Sequence, residues 1–170
     1  LYFIKHDKKI RKNKLYHLNF SDKKITLIYE EKKEEYSLSL SLSTDEKYVF
    51  LYSSKYETDN IFLIEDLILK PIFTQSSKIE YQIDHFNNQY YLLTNKDKKI
   101  NYELYESDNL THWKCILKHS KNRYIQSFII FYDSIFLNVR ENGFPKLIQM
   151  KLNNYHLSSI DLPKDFYSYY

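Results

Sequence analysis

Residues 36–43 read Tyr-Ser-Leu-Ser-Leu-Ser-Leu-Ser, and no other part of the chain shows its period so plainly. Apolar side chains occupy every second position, and serine fills the positions between them. Successive side chains of a β-strand point to opposite faces, whereas a helix would scatter these leucines around its circumference. The stretch is therefore predicted to be a strand with one apolar face and one small polar face.

The composition of the whole chain also favours strands over helices. Aromatic residues make up 18% of the 170 residues, with 18 Tyr and 11 Phe, and alanine is absent. Aromatic side chains suit a pleated, half-buried surface, and alanine is the strongest helix former. The single glycine, Gly143, excludes a nucleophile elbow, a phosphate-binding loop and a dinucleotide-binding fingerprint, because each motif needs several glycines.

Charge and cysteine content bear on partners and compartment. The chain carries 25 basic and 22 acidic side chains, and its lysines are scattered along the sequence. Phosphate binding needs a concentrated basic face, so no nucleic-acid partner is expected. No apolar run approaches the roughly 20 residues of a membrane helix, so no membrane partner is expected. No signal peptide is expected either, because the sequence reaches charged residues by Lys5. The only cysteine, Cys115, can form no internal disulfide, and a cytoplasmic location is predicted.

Short strands separated by polar turns fill the rest of the chain, and they return in groups of four. The opening stretch is followed by predicted strands at residues 47–54, 60–65 and 67–73, and Pro71 confines the last of these to a sheet edge. Two further groups follow at residues 79–118 and 125–162, and three strands precede the stretch. Four strands every roughly 40–45 residues is the blade period of a β-propeller.

The predicted fold class is therefore all-β, a partial β-propeller of about three and a half four-stranded antiparallel blades. The expected boundaries are an incomplete blade at residues 1–34 and blades at 35–75, 78–119 and 124–162. A sandwich or small barrel also uses short strands with frequent turns, but it does not predict the return of the four-strand pattern.

The serines of the opening stretch raise a packing question. If blade sheets pack face to face, both faces of the strand are covered, and small side chains let a neighbour approach closely. We therefore expect the face that carries Ser37, Ser39 and Ser41 to be packed against a neighbouring sheet. The alternative is an ordinary half-exposed strand with its serines in water.

Patterns that could carry catalysis or metal binding are weak. The six histidines form no His-x-x-x-His or His-Glu-x-x-His motif, so no metal site is predicted. His119 and Ser120 are adjacent, but adjacency is not the geometry of a catalytic triad, and a turn is expected there. The carboxylates among residues 30–35 alternate with lysines and are expected to form a solvated connection. No catalytic, metal-binding or cofactor-binding residue is predicted.

Arg140 and Glu141 are the candidate site residues of this sequence. They end a predicted strand just before Gly143, which is expected to adopt a positive φ in the turn. Two interpretations stay open. The pair forms a local ion pair that shapes the turn, or it contacts a further domain.

Several sequence runs together resemble a known peptidase family. In chain order they are His6-Asp7-Lys8-Lys9 with Arg11, Lys14-Leu15-Tyr16-His17-Leu18, Ile28-Tyr29-Glu30-Glu31, Tyr81-Gln82-Ile83-Asp84-His85, Tyr90-Tyr91-Leu92-Leu93-Thr94-Asn95 with Asn101-Tyr102-Glu103-Leu104, Trp113 with His119, and Arg140-Glu141-Asn142-Gly143. The set resembles the N-terminal propeller of the prolyl oligopeptidase family of serine peptidases, in its oligopeptidase B (protease II) branch. The chain departs from that pattern in its scarcity of glycine, for example in the turns at residues 44–46 and 87–88.

The resemblance implies an enzyme in which a seven-bladed propeller caps an α/β-hydrolase domain that carries Ser, Asp and His. This branch cleaves short peptides after Arg or Lys, and the propeller screens out large folded substrates. The implied partners are the missing hydrolase domain or a complementary fragment, with short basic peptides as substrates of the intact enzyme. Arg140 and Glu141 are then possible interdomain contacts, and this chain alone is expected to be inactive.

Two other functions stay open from the sequence. One is a stand-alone β-rich module that binds a protein or peptide. The other is a single-strand nucleic-acid binder that stacks bases on its tyrosines, although ordinary strand tyrosines explain the composition without it.

Overall fold

Fifteen strands and one short 3-10 helix make up the regular structure of the described residues. The computed structural model describes residues 1–74 and 78–161. The helix spans Lys96–Lys98. In chain order the strands are β1 (Tyr2–His6), β2 (Lys12–Leu18), β3 (Ile25–Glu30), β4 (Ser37–Leu42), β5 (Val49–Lys55), β6 (Thr58–Glu65), β7 (Ile68–Phe73), β8 (Tyr81–Phe86), β9 (Gln89–Thr94), β10 (Glu103–Ser107), β11 (Lys114–Leu117), β12 (Arg123–Phe131), β13 (Ser134–Glu141), β14 (Phe144–Lys151) and β15 (Leu157–Ile160).

The strands pair antiparallel in chain order and form four separate sheets. The first sheet is β1-β2-β3 and the second is β4-β5-β6-β7, whereas the third is β8-β9-β10-β11 and the fourth is β12-β13-β14-β15. The chain divides into two units, Leu1–Glu80 and Tyr81–Tyr170, with two sheets in each. The predicted fold class, an all-β partial β-propeller, is confirmed. The last predicted blade ends at Leu162, which lies outside the described residues.

The opening stretch forms β4, and its leucine face packs against the first sheet. Leu38 is 1% exposed and belongs to a buried cluster with Leu15 of β2, Leu51 and Ile64. Both β1 and β2 contact β4. Leu40 lies directly opposite Leu51 in the ladder, so the alternate residues of both strands contribute to one apolar face. Unit 1 is therefore held together by two sheets stacked face to face.

The serine face of β4 is not packed as expected. Ser37 and Ser39 are exposed, and Ser41 is half-buried. Among the described strands, β4 is an edge strand whose one partner is β5, and its leucine face is the one that joins the first sheet in a shared apolar cluster. The prediction of close packing was wrong for Ser37 and Ser39, which follow the alternative of an ordinary half-exposed strand. Pro71 lies in β7 at the opposite edge of the same sheet, as predicted.

Unit 2 repeats this stacking between the third and fourth sheets. Its buried cluster includes Leu93 and Leu104 from the third sheet with Phe128 and Leu137 from the fourth. Gln82 of β8 also reaches across: its Nε2 atom donates to the carbonyl oxygen of Phe128 at 2.8 Å, and the Phe128 amide donates to its Oε1 atom at 3.2 Å. This double hydrogen bond supports β12 just after the register shift between Ile125 and Ser127.

Tight turns form although the chain has one glycine. Gly143 adopts φ +86°, as predicted, and Asn142 before it has φ 52°. Two successive positive φ values are typical of the type I′ hairpin turn, which matches the twist of the flanking strands. Residues 66–67 and 87–88 adopt the same signs without any glycine. Asp66, Asn87 and Asn88 are residue types that tolerate this region, whereas Leu67 adopts it without that advantage.

The two faces of β4 should respond differently to substitution. We expect Leu38→Ala to lower the free energy of unfolding by about 3 kcal/mol, because it leaves a cavity in the buried cluster. Ser39→Ala, its matched control on the other face, should change the free energy by less than about 0.5 kcal/mol. Urea unfolding followed by circular dichroism measures both variants. Equal effects would contradict the assignment of the faces.

Candidate functional site

Arg140 and Glu141 lie at the end of β13, beside the hairpin turn. The Glu141 carboxylate pairs with Lys146 on the other side of that turn, with 2.5 Å between Oε2 and Nζ. The Lys146 hydrogen bond lowers the pKa of Glu141. Arg140 is exposed and forms no ion pair with any residue that the structure describes. The local ion pair that shapes this turn is therefore Glu141 with Lys146, and Arg140 is left available at the surface.

Two other connections gather beside this hairpin. The amide of Asn142 donates to the carbonyl oxygen of Asn122, in the connection after β11, at 2.9 Å. Asn101, in the connection after β9, donates through Nδ2 to the carbonyl oxygens of Ser120 at 2.7 Å and Lys121 at 3.0 Å. Hydrogen bonds thus hold three loops, far apart in sequence, at one end of unit 2. We call this end, formed by residues 95–103, 118–123 and 140–146, the basic end.

The basic end concentrates positive charge. Of the residues that the structure describes, it carries eight cations, which are Lys96, Lys98, Lys99, Lys118, Lys121, Arg123, Arg140 and Lys146. Its acidic side chains are Asp97, Glu103 and Glu141. Lysines that look scattered along the sequence are therefore clustered in this unit, because antiparallel hairpins return distant loops to the same end of a sheet.

Glu103 is the buried carboxylate of the basic end. It is 7% exposed and accepts hydrogen bonds from the Tyr105 hydroxyl at 2.5 Å and the His119 amide at 3.0 Å. Burial raises the pKa of Glu103, but these hydrogen bonds outweigh burial and leave the pKa below its usual range. Burial and the bond to Glu103 raise the pKa of Tyr105. Glu103 is thus a charged acceptor that holds His119, at the start of the connection after β11.

Glu31 is the equivalent buried carboxylate of unit 1. It is 7% exposed and accepts hydrogen bonds from the Ser53 hydroxyl at 2.5 Å, the Tyr29 hydroxyl at 3.0 Å and the Lys33 amide at 3.0 Å. Burial raises the pKa of Glu31, and these three donors together lower it below the ordinary value. Burial, then the bond to Glu31, raises the pKa of Tyr29 to about 12. The expectation of a solvated connection was therefore wrong for Glu31.

Arg11 fastens the same connection from the other side. Its guanidinium donates to the carbonyl oxygens of Lys33 at 2.6 Å, Tyr36 at 3.2 Å and Glu31 at 3.3 Å. The Nε atom of the guanidinium donates to Oδ2 of Asp7 at 3.1 Å, which fixes the orientation of the guanidinium. The segment between the first and second sheets is thus tied by one cation and one buried anion. Sequence reasoning named Arg11 only within a resemblance, because its acceptors are backbone oxygens that carry no sequence signal.

His119 lies beside Ser120 in the connection after β11. The Nε2 atom of His119 is buried without a hydrogen-bond partner, so the ring forms no base–nucleophile pair with Ser120 through that atom. Within residues 1–74 and 78–161, no cluster of three or more His, Cys, Asp or Glu could hold a metal ion. In the same ranges, no helix has the length and apolar character needed to cross a membrane.

The fourth sheet has a second apolar face that is open. Ile129 is 64% exposed and Phe131 is 70% exposed, whereas Ile130 between them faces the core and is 4% exposed. With Phe136 and Leu147 they line a hollow of about 370 Å³. The leucine face of β4 is also apolar, but a neighbouring sheet covers it. An exposed apolar patch of this kind marks a surface that packs against another element.

Glu31 should make the stability of the chain depend on pH. Its pKa is lowered in the folded state, so its stabilisation is present above the unfolded pKa of about 4.3 and is lost as the pH falls through the folded value. We expect Glu31→Gln to lower the free energy of unfolding by about 2 kcal/mol at neutral pH, because buried donors lose a charged acceptor. The difference from wild type should shrink towards pH 3 in urea unfolding series.

Glu35→Gln is the matched control for this experiment. Glu35 is exposed in the same connection and forms no ion pair with a described residue. Its substitution should leave the stability unchanged at every pH. A Glu31→Gln effect that is constant with pH would contradict the role of the carboxylate charge.

Comparisons with known proteins agree with this geometry. The sequence profile of the family described as "Prolyl oligopeptidase, N-terminal beta-propeller domain" matches residues 1–169. Protease 2 of Moraxella lacunata is 29% identical over 127 residues, which cover 71% of this chain and 18% of that protein. Prolyl endopeptidase-like of Gallus gallus is 20% identical over 165 residues, covering 92% of this chain and 22% of that protein.

Solved structures show the same fold. Oligopeptidase B from Trypanosoma brucei, in its closed form with covalently bound antipain, superposes with a TM-score of 0.83 at 20% identity, covering 96% of this chain and 26% of that one. Oligopeptidase B from Leishmania major gives a TM-score of 0.83 at 16% identity, with 97% and 26% coverage. The chain thus spans about a quarter or less of these relatives. It belongs to the prolyl oligopeptidase family and corresponds to its N-terminal β-propeller domain.

Proposed function

We propose that this chain is part of the substrate-screening propeller of an oligopeptidase B-like serine peptidase that cleaves short peptides after Arg or Lys. The observation that carries the proposal is the match of the propeller family to residues 1–169. Protease 2 among the relatives and oligopeptidase B among the structures favour this branch of the family. In this proposal a separate α/β-hydrolase domain supplies Ser, Asp and His, and the enzyme acts in the cytoplasm.

The open face of the fourth sheet supports a role within a longer propeller. Ile129 and Phe131 present apolar surface where a further sheet of the same kind would pack. The remaining described chemistry suits a rigid scaffold, since the buried carboxylates Glu31 and Glu103 are satisfied by fixed donors. A screening domain needs this rigidity because it excludes large substrates by shape.

The hairpin after β13 is our candidate for the contact with the hydrolase domain. Arg140 is exposed there without an ion-pair partner among the described residues, and Phe144 is 71% exposed. Glu141 is already paired with Lys146 and positions the turn. In this proposal Arg140 makes the contact directly, and Glu141 acts by holding the hairpin.

A chimera tests the proposed function. The segment of Moraxella lacunata Protease 2 that aligns with this chain is replaced by this chain, and turnover is measured on a fluorogenic peptide that ends in Arg and on a folded protein. We expect cleavage of the short peptide and none of the folded protein, because the propeller restricts access by size. The isolated chain should show no turnover of either substrate.

Two results would contradict the proposal. One is turnover by the isolated chain that a serine-directed inhibitor blocks. The other is a folded, active chimera that digests the folded protein as fast as the peptide. Circular dichroism of the chimera separates these outcomes from failed folding, and a chimera that lacks the serine nucleophile controls for contaminating peptidases.

A further inference from the structure

We infer that the basic end of unit 2 is a docking surface for an acidic, partly apolar protein segment. The inference rests on the proposed contact at the hairpin after β13, and it names the chemistry of the segment that this contact would bind. It depends on three features: unpaired charge, a fixed backbone and exposed apolar side chains.

Much of the charge at the basic end is not neutralised. Lys146 pairs with Glu141 at 2.5 Å, and Lys99 lies 3.9 Å from Glu103. The other exposed cations form no ion pair with any residue that the structure describes, and they are Lys96, Lys98, Lys118, Lys121 and Arg140. Unpaired cations on neighbouring loops repel one another, and an acidic partner would relieve that repulsion.

The opposite end of the same unit is different. There Lys151 pairs with Asp133 at 3.0 Å, and Lys114 pairs with Glu106 at 2.8 Å. Tyr155 also donates to the Glu106 carboxylate at 2.6 Å. Positive charge is therefore concentrated at one end of unit 2 and balanced at the other, so an acidic partner is directed to the basic end.

The backbone beneath the cations is fixed. Asn101 and Asn142 bind the connection after β11, as described above, and the Arg123 guanidinium donates to the carbonyl oxygen of Lys118 at 3.3 Å. Fixed attachment points lower the entropy lost on binding, since only the outer parts of the lysine side chains need to be ordered. The backbone that carries these cations is thus preorganised for binding.

Exposed apolar side chains decide the class of partner. Ile100 is 75% exposed and Phe144 is 71% exposed, and both belong to the basic end. A single-stranded nucleic acid would pair with the lysines and could stack a base on Phe144, but it would leave Ile100 unmatched, because an aliphatic side chain offers no ring to stack on. A protein segment that carries both carboxylates and apolar side chains matches both features, and aromatic residues such as Phe144 are enriched in protein interfaces.

Fluorescence anisotropy with labelled probes tests the inference. The probes are a short peptide of Glu and Leu, its analogue with Gln in place of Glu, and a single-stranded oligonucleotide. We expect the acidic peptide to bind most tightly and its affinity to fall with added salt. The triple variant Lys98→Glu, Lys121→Glu and Arg140→Glu should weaken that binding by about tenfold or more.

Matched variants separate the effect of this surface on binding from the effect of the net charge of the chain. A second triple variant changes the net charge by the same amount at exposed positions of unit 1, and it combines Lys5→Glu, Lys12→Glu and Lys24→Glu. We expect this variant to weaken binding by less than about twofold. Phe144→Ser should weaken binding by about threefold, whereas Phe20→Ser, at an equally exposed position of 71%, should not.

Four results would overturn the inference. These are no binding of any probe, equal losses in the two triple variants, tighter binding of the oligonucleotide than of the acidic peptide, or no effect of Phe144→Ser. None of these measurements uses peptidase activity, so their failure is distinguishable from a failure of the proposed function.

Discussion

The stacking of one sheet face on the next is the interaction on which this structure depends. Leu38 of β4 and Leu15 of β2 are fully buried only because the first and second sheets lie face to face. A four-stranded sheet with one uncovered apolar face gains little from its own hydrogen bonds, since those bonds replace equivalent ones to water. Burial of apolar area between sheets therefore supplies most of the stabilisation, and each sheet depends on a neighbour.

Polar groups in this stack hold the strands and the connecting segments in their positions. Glu31 and Arg11 tie down the segment between two sheets, and Gln82 supports β12 beside an irregularity in its register. Such buried groups are costly unless every donor and acceptor is paired, which is why their partners are so completely supplied. The loops at the sheet ends are held in position by these contacts, and binding surfaces such as the basic end belong to those loops.

Much of the fold could be predicted from the sequence, because side-chain alternation has a strict period of two in strands. The alternation in β4 and the return of four strands gave the fold class. Strand boundaries are harder to predict: β10 begins only at Glu103, because Asp97, Lys98 and Tyr102 before it adopt positive φ, which a strand does not allow. Periodicity does not tell which face is covered, and neither the burial of Glu31 nor the gathering of distant lysines has a local sequence signal.

The central claim is that each sheet is stabilised by the face of its neighbour, and that the fourth sheet has a face still open. Sedimentation velocity of the chain and of the double variant Ile129→Lys and Phe131→Lys tests it most directly. Ile10→Lys with Phe20→Lys is the control, since both side chains are exposed in unit 1. The account predicts that wild type and control self-associate through this face and that the double variant does not. A wild-type chain that stays monomeric at every concentration tested would contradict it.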